Sequence, residues 1–314
     1  MVYRIGPAWA ISLDQLEASL QSAPFVECGL TQEKSVGWVS PRGQANQTGG
    51  ARVESIGGQW LMRLMVESKA VPASVIHRKI KERTAQIELA TGRKPGKKET
   101  RELKDELRLE LLPMAFTRQS SVLVWIDPGA RLLIIDAASQ SRADEVLICL
   151  AQAMEGLGAV LLQTSIAPVT AMSDWLLSQE PPAGFSIDRE CELKAADDSK
   201  AVVRYAHHAL DIQEVQQHIT HGKLPTRLAL TWQGRVSFTL TGALQIKKLS
   251  FVEGVFKDDV ASSQDDRFDA DAAIATGELR KLIPDLLEAL GGEMVEGAAP
   301  VVAATASQSD SAPF

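Results

Sequence analysis

The spacing of apolar and polar positions changes along the chain, and the elements follow from those changes. Met1–Ile5 reads as a strand, and Ser12 to Leu16 opens a short amphipathic helix with Leu13, Leu16 and Leu20 on one face. Val36–Ser40 and Gln59–Glu67 read as strands in which Trp38 and Trp60 are expected to pack, separated by Gly49-Gly50 and Ile56-Gly57-Gly58 as punctuation. The period then becomes helical. From Pro72-Ala73-Ser74, with Ser74 as the expected N-cap, Val75, Ile76, Ile80 and Ile87 trace a thin stripe. Gly92, Pro95 and Gly96 interrupt it, and Leu103, Leu107, Leu111 and Leu112 mark a second helix from about Thr100 to Leu112, stopped by Pro113. Two helices joined by a Gly/Pro turn form a helical hairpin. Stripes this narrow cannot be covered on several sides, so the segment is expected to project as an arm.

Beyond the arm, Val122–Asp127 and Arg131–Ala137 predict a β-hairpin across Pro128-Gly129. A helix carrying Val146, Leu147, Leu150 and Met154 follows, with Ser141 and Asp144 read as its capping box. Val160–Ile166 returns as a strand and Met172–Leu177 as a short helix. Strands are then expected at Phe185–Leu193, Ala201–His208, Arg227–Trp232, Arg235–Leu240 and Leu244–Val252, with a helix at Asp211–His221 between them. A final helix covers Asp269–Leu290 and ends at Gly291-Gly292. Hairpins mixed irregularly with helices indicate an α+β fold of antiparallel sheets with packed helices. The predicted organisation is a central sheet region from residues 1–73 and 119–168, the helical arm at 74–118, and a second α+β region at 169–294. The small, polar and aperiodic stretch 295–314 is expected to be disordered.

Charge changes the picture. Between Arg78 and Lys104 ten Lys/Arg face four Glu, a window of +6 in a chain of net charge −7, so the remainder carries −13. A cationic segment in an acidic protein points to a polyanion, since each phosphate neutralised releases a condensed counterion. The excess sits in the first helix and the turn, at Arg78, Lys79, Lys81, Arg83, Arg93, Lys94, Lys97 and Lys98, with Arg118 just beyond. The competing reading is a solvated helix face laced by its own ion pairs. Aromatics do not alternate with these cations, which argues against stacking on single strands and for contact with duplex DNA backbone. Arg204, Lys223, Arg227, Arg235, Lys247 and Lys248 are secondary cationic points. Phe116, at the end of the arm, is either a core residue or an exposed apolar plug.

Other chemistry is poorly supplied. Gly92-Arg93-Lys94-Pro95-Gly96-Lys97-Lys98 is one residue short between its glycines for a phosphate-binding loop and has Lys98 where a magnesium-binding hydroxyl belongs. Gly156 and Gly158 lack the third glycine of a dinucleotide site. His207 and His208, adjacent on a predicted strand, point to opposite faces, and His218 and His221 have no further ligands at metal-binding spacing. Asp127 and Asp136 end two strands of one hairpin and could meet to hold Mg²⁺ in a nuclease, although Asp127 before Pro128-Gly129 also suits a turn. No nucleophile motif is legible, so neither an enzyme nor a cofactor is expected. Cys28, Cys149 and Cys191 are odd in number and far apart, which fits reduced thiols of the cytoplasm. No apolar run reaches the ~20 residues a membrane span needs, and the start lacks a signal-peptide pattern.

Several runs together resemble the recombination-associated RdgC family. They are Gly37-Trp38-Val39 with Pro41, Leu111-Leu112-Pro113-Met114-Ala115-Phe116, Val124-Trp125-Ile126-Asp127, Asp136-Ala137-Ala138-Ser139, Leu228-Ala229-Leu230-Thr231-Trp232, Arg267-Phe268-Asp269-Ala270-Asp271, and Thr276-Gly277-Glu278-Leu279 with Leu287-Glu288-Ala289-Leu290-Gly291-Gly292. The resemblance implies a nucleoid-associated, sequence-tolerant binder of double-stranded DNA that closes as a homodimer into a ring around the duplex and restrains RecA-dependent recombination. It places the family's basic tip position on Arg93, its tip phenylalanine, a dimer contact, on Phe116, and its basic base-region position on Lys223. A family stretch that can carry Lys-Gln reads His207-His208 here, with less positive charge at neutral pH.

Overall fold

A computed structural model describes residues 1–43, 50–255 and 264–294. The strands are β1 (Val2–Arg4), β2 (Lys34–Val39), β3 (Val53–Ile56), β4 (Gln59–Lys69), β5 (Thr117–Asp127), β6 (Leu132–Ile135), β7 (Val160–Leu161), β8 (Phe185–Ala195), β9 (Val202–Tyr205), β10 (Lys223–Trp232), β11 (Val236–Thr241) and β12 (Ile246–Phe251). The helices are α1 (Leu13–Gln21), α2 (Ala73–Thr91), α3 (Lys97–Leu111), α4 (Gln140–Ala153), α5 (Pro168–Ser178), α6 (Gln213–Thr220) and α7 (Gln264–Ala289). The expected α+β class with antiparallel sheets is what the chain adopts. Two compact units divide it, one from Ile5 to Gly158, the other from Met1–Arg4 together with the chain from Ala159.

The Ile5–Gly158 unit is built on β4. One edge of this strand pairs with β5 without interruption from Trp60↔Ile126 to Lys69↔Thr117. The other edge is shared, β3 covering Gln59 to Met62 and β2 covering Arg63 to Ser68. β6 lies on the far side of β5. Met62, Leu64 and Val66 of β4 share a face with Val122, Val124 and Ile126 of β5, and all six are buried. The predicted apolar face of α1 holds, with Leu16 and Leu20 fully buried, and Ala143, Val146 and Leu150 are the buried residues of α4.

On the opposite face of β4 the segment Pro24–Cys28 crosses the sheet. Phe25 donates its N–H to the Trp38 carbonyl at 3.1 Å. A methyl group on Gly37 would lie 2.4 Å from the Phe25 backbone, so only glycine admits this crossing. Glu67, 1% exposed, receives the Cys28 N–H and the Gln119 side-chain amide, each at 2.7 Å. The Gln119 hydrogen bond, helped by the Cys28 contacts and nearby Lys69 against the opposing effect of burial, holds its carboxyl below the usual range.

In the second unit β12-β11-β10-β8-β9 form one antiparallel sheet. Its buried face (Cys191, Leu193, Leu228, Leu230, Phe238, Leu240) belongs with the apolar sides of α5 (Met172, Trp175, Leu176) and α6 (Val215, Ile219). α7 is tied to the β10–β11 turn region twice: Trp232 donates Nε1 to Asp285 at 2.8 Å, and Arg235 grips Glu278 through two bonds of 2.7 and 2.8 Å. β1 pairs with β7, and Arg4 bonds Glu293.

Several boundaries differ from the sequence reading. α2 begins at Ala73 with Pro72, not Ser74, in the capping position and no side-chain cap, because the ring of Pro72 already presets the entry geometry. α3 starts at Lys97, three residues early, because Glu99 returns its carboxylate to the Gly96 N–H at 2.8 Å and caps a turn that lacks a hydroxyl. α4 is entered at Ser139 rather than Ser141, and Asp144 accepts from the Gln140 side chain instead of closing a capping box. β3 precedes Gly57-Gly58 as the partner strand of a tight hairpin, β7 is only two residues long, and β9 stops at Tyr205. The 295–314 segment, expected to be disordered, and Gly49 lie outside the described residues.

Two outcomes test this packing. Gly37→Ala lowers unfolding stability by about 1–3 kcal/mol, because the crossing backbone has to move; an unchanged denaturation midpoint would show that the crossing is not tight. Glu67→Gln destabilises at pH 7 by roughly 1–3 kcal/mol through lost charge-assisted hydrogen bonds. The Glu67 carboxyl sits below its unfolded value, so its contribution is present above that value and fades as pH falls through the folded one. The difference between wild type and variant in thermal melts therefore shrinks below about pH 4; a difference constant down to pH 2 would contradict it.

Candidate nucleic-acid interface

α2 and α3 leave and re-enter the sheet between two adjacent strands. β4 ends at Lys69 and β5 begins at its pairing partner Thr117, so everything between is an excursion that returns to its starting point. Ile76 and Leu107 are the buried side chains of the two helices, Leu112 is buried just after them, and Val75, Ile80, Ile87, Leu103 and Leu111 are half-covered. Gly92 ends α2 in the left-handed conformation at φ 70°. Arg108 of α3 clasps Glu33, ahead of β2, with bonds of 2.7 and 2.9 Å.

Residues 73–118 carry twelve Lys/Arg against seven Asp/Glu, +5 in a chain of −7. That charge is exposed, but it is not bare. Arg78 and Lys79 lie 4.0 and 3.2 Å from Glu82, Arg83 lies 3.5 Å from Glu110, Lys94 3.8 Å from Glu88, and Lys98 3.9 Å from Glu102. Arg93 is held more firmly: its two terminal nitrogens reach the two Glu99 oxygens at 2.8 and 2.7 Å. Among the described residues Lys81, Lys97, Arg101, Lys104 and Arg118 enter no ion pair, and all five are exposed. The Arg93 hydrogen bonds, with the Gly96 N–H, pull the Glu99 carboxyl down to about 2.

Phe116 is 94% exposed and Met114 70%, which settles the choice between core residue and surface plug in favour of the surface. Lys223 belongs to the other unit, half-buried at the start of β10, its Nζ 3.0 Å from His218 Nδ1. His218 in turn lies 3.7 Å from Glu214. His207 and His208 are not on a strand: they follow β9, with His207 at φ 55°. His208 Nδ1 lies 2.7 Å from the Ala209 carbonyl oxygen, and its ring sits 5.9 Å from that of Tyr205. Lys248, with His207 adding more weakly, holds the Glu190 carboxyl below its ordinary range, in an open groove lined also by Arg189 and Thr239.

The expected approach of Asp127 and Asp136 does not occur. Asp127 pairs with Leu132 beside the turn, while the Asp136 N–H bonds the Leu123 carbonyl at the opposite end of the hairpin. Four strand positions separate them, about 13 Å. Antiparallel pairing puts the last residue of one strand opposite the first of the next, never opposite its last. Asp127 is buried and accepts the Ala130 N–H at 2.9 Å, as a turn aspartate does. Asp136 is exposed, with Arg63 among its electrostatic neighbours. Among the described residues no group of three or more His, Cys, Asp or Glu side chains is placed to share a metal ion, and no helix is long and apolar enough to cross a membrane.

Glu99, expected from the sequence to pair along the helix face with a neighbour such as Lys104, instead closes the turn on Arg93 and the Gly96 N–H. The signal was present in its position three residues after a glycine that starts a helix, where a carboxylate turns back on the chain.

Comparison with known proteins adds to this geometry. Residues 1–293 match the family model described as "Putative exonuclease, RdgC". A recombination-associated protein RdgC of Dechloromonas aromatica is 42% identical over 300 residues, 94% of this chain and 97% of that protein. Proteins of the same name from Cupriavidus pinatubonensis and Herminiimonas arsenicoxydans are 42% and 40% identical, over 93% and 94% of this chain and 97% of each relative. Over nearly its entire length, then, the chain belongs to the RdgC family.

Proposed function

We propose that this protein is a non-enzymatic, sequence-tolerant binder of double-stranded DNA, with a role in recombination in keeping with the names of its relatives. The observation that carries the reading is the exposed +5 of residues 73–118 in a chain of −7. The ion pairs on α2 and α3 temper that field without removing it, since single exposed contacts of this kind contribute little and are screened by salt. In this reading α2 and α3 form a projecting arm, roughly 28 Å long by the rise of α2. Arg78, Lys79, Lys81, Arg83, Arg93, Lys94, Lys97, Lys98 and Arg118 meet phosphates from the arm, and Lys223 meets them from the base region.

Two copies closing on each other give a ring with the cations inside, and Phe116, presented twice by a two-fold axis, is the apolar contact that closes it. The domains follow as a central sheet region, an arm and a base. A ring occupying the nucleoid's DNA in the cytoplasm obstructs growth of RecA filaments. The family model's description names an exonuclease; for a magnesium-dependent nuclease, the carboxylates that sequence offers, Asp127 and Asp136, stand at opposite ends of their hairpin.

Binding measured against salt tests the electrostatics. Log affinity falls linearly with log salt by about 0.9 per phosphate contacted. Replacing Arg93, Lys97 and Lys98 together by Ala flattens the slope equally on unrelated duplexes, and an unaltered slope would take the arm out of the interface. Phe116→Asp shifts the light-scattering mass from dimer to monomer while changing monomer stability by less than about 0.5 kcal/mol, as exposed positions do. A dimer that persists in this variant would remove Phe116 from the contact.

A further inference from the structure

At the tip of the helical hairpin one carboxylate gathers three donors. Glu99 takes both terminal nitrogens of Arg93 at 2.7 and 2.8 Å, and its Oε2 also accepts the Gly96 N–H at 2.8 Å. The surrounding turn is fixed: Thr91 Oγ1 bonds the Ile87 and Arg93 carbonyls at 2.7 and 3.3 Å, and Thr100 Oγ1 bonds the Gly96 carbonyl at 2.9 Å. A guanidinium fork beside a backbone N–H is also the donor set that suits a phosphate oxygen pair. Arg93, Gly96 and Glu99 are all exposed, so an incoming anion can reach the donors without any rearrangement of the core.

The other tip cations are held differently. Lys94 and Lys98 touch Glu88 and Glu102 at 3.8 and 3.9 Å through single, loose contacts, and Lys97 is unpaired among the described residues. Glu99 therefore stands apart from the other carboxylates of the arm in occupying a cation with full bidentate geometry.

Resting on the proposal that the arm meets DNA, we infer that Glu99 is an internal stand-in for a DNA phosphate, masking Arg93 until a phosphodiester group displaces it. Arg93 is then an exchange contact. In the free protein its guanidinium is turned toward Glu99, and binding replaces one oxyanion by another. The consequence is a tip that grips weakly and releases readily, which suits movement along DNA of any sequence. Such a competitor attenuates affinity by a factor comparable to the strength of an exposed ion pair, roughly two- to five-fold.

The test compares charge-equivalent variants by fluorescence-anisotropy titration of a duplex of arbitrary sequence at about 0.1 M salt. Glu99→Gln keeps an acceptor for the Gly96 N–H, so the turn is retained, and circular dichroism with thermal melting verifies this. Glu88→Gln and Glu102→Gln add the same charge at neighbouring sites. Masking predicts that Glu99→Gln tightens binding roughly two- to five-fold beyond whatever gain the two controls show. It also predicts that this extra gain vanishes in an Arg93→Ala background. A gain for Glu99→Gln no larger than for the controls, or one that survives loss of Arg93, overturns the inference while leaving the arm a DNA contact. If Arg93→Ala and the Lys97/Lys98 alanine variants also leave affinity and salt slope untouched, the functional reading itself fails and the masking role goes with it.

Discussion

The ladder between β4 and β5 is the constraint on which the candidate site depends. Trp60↔Ile126 through Lys69↔Thr117 pair without a break, so the two ends of the intervening stretch are fixed on neighbouring strands. A long excursion between paired strands carries only a slowly growing closure entropy. It is tolerated because the ladder buries Met62, Leu64, Val66, Val122, Val124 and Ile126 on one face. The helical hairpin is thus an insertion in a β-hairpin, anchored by Ile76, Leu107 and Leu112 and by the Arg108–Glu33 clasp. Most of the rest of its surface is polar or charged, with Leu89 and Leu109 as exposed apolar positions on the helices. A helical hairpin that contributed much to the core could not also leave eleven of its twelve cationic residues exposed.

The pairing of those cations with carboxylates is equally informative. Helix geometry places residues three and four apart side by side, so any lysine-rich helix that also contains glutamates makes contacts such as Lys79–Glu82 and Lys98–Glu102. Contacts of this type moderate the local field without fixing side chains. Arg93–Glu99 is of another kind. It spans the turn rather than a helix face, uses the fork of the guanidinium, and recruits a backbone N–H as well. Under the proposed DNA-binding function, the groups that would attract a polyanion and the carboxylate that restrains one of them lie in the same few residues.

Much of this was legible from the residues in order. The change from alternation to a helical period at Pro72, the break at Gly92-Arg93-Lys94-Pro95-Gly96 and the stop at Pro113 located the hairpin to within a few residues. Local backbone preference governs such punctuation. The helix starts were read less well, because Ser74, Ser141 and Asp144 all carry capping side chains and only the settled chain shows which residue the first turn uses. β3 and the shortness of β7 were hidden because strand extent depends on having a neighbour to pair with.

By itself the sequence determined the charge imbalance, the α+β character, the helical hairpin and the family, since each of these depends on which residues are present and how they are spaced. Tertiary structure decided what meets what. It joined the hairpin's ends on β4 and β5, set Phe116 in solvent, and moved His207 into a left-handed turn. It also drew Asp127 and Asp136 apart by strand polarity and laid Glu99 across Arg93. The physical reason is that composition and period act along the chain, whereas register, turn closure and the fork of a guanidinium act between positions that only the folded backbone brings together.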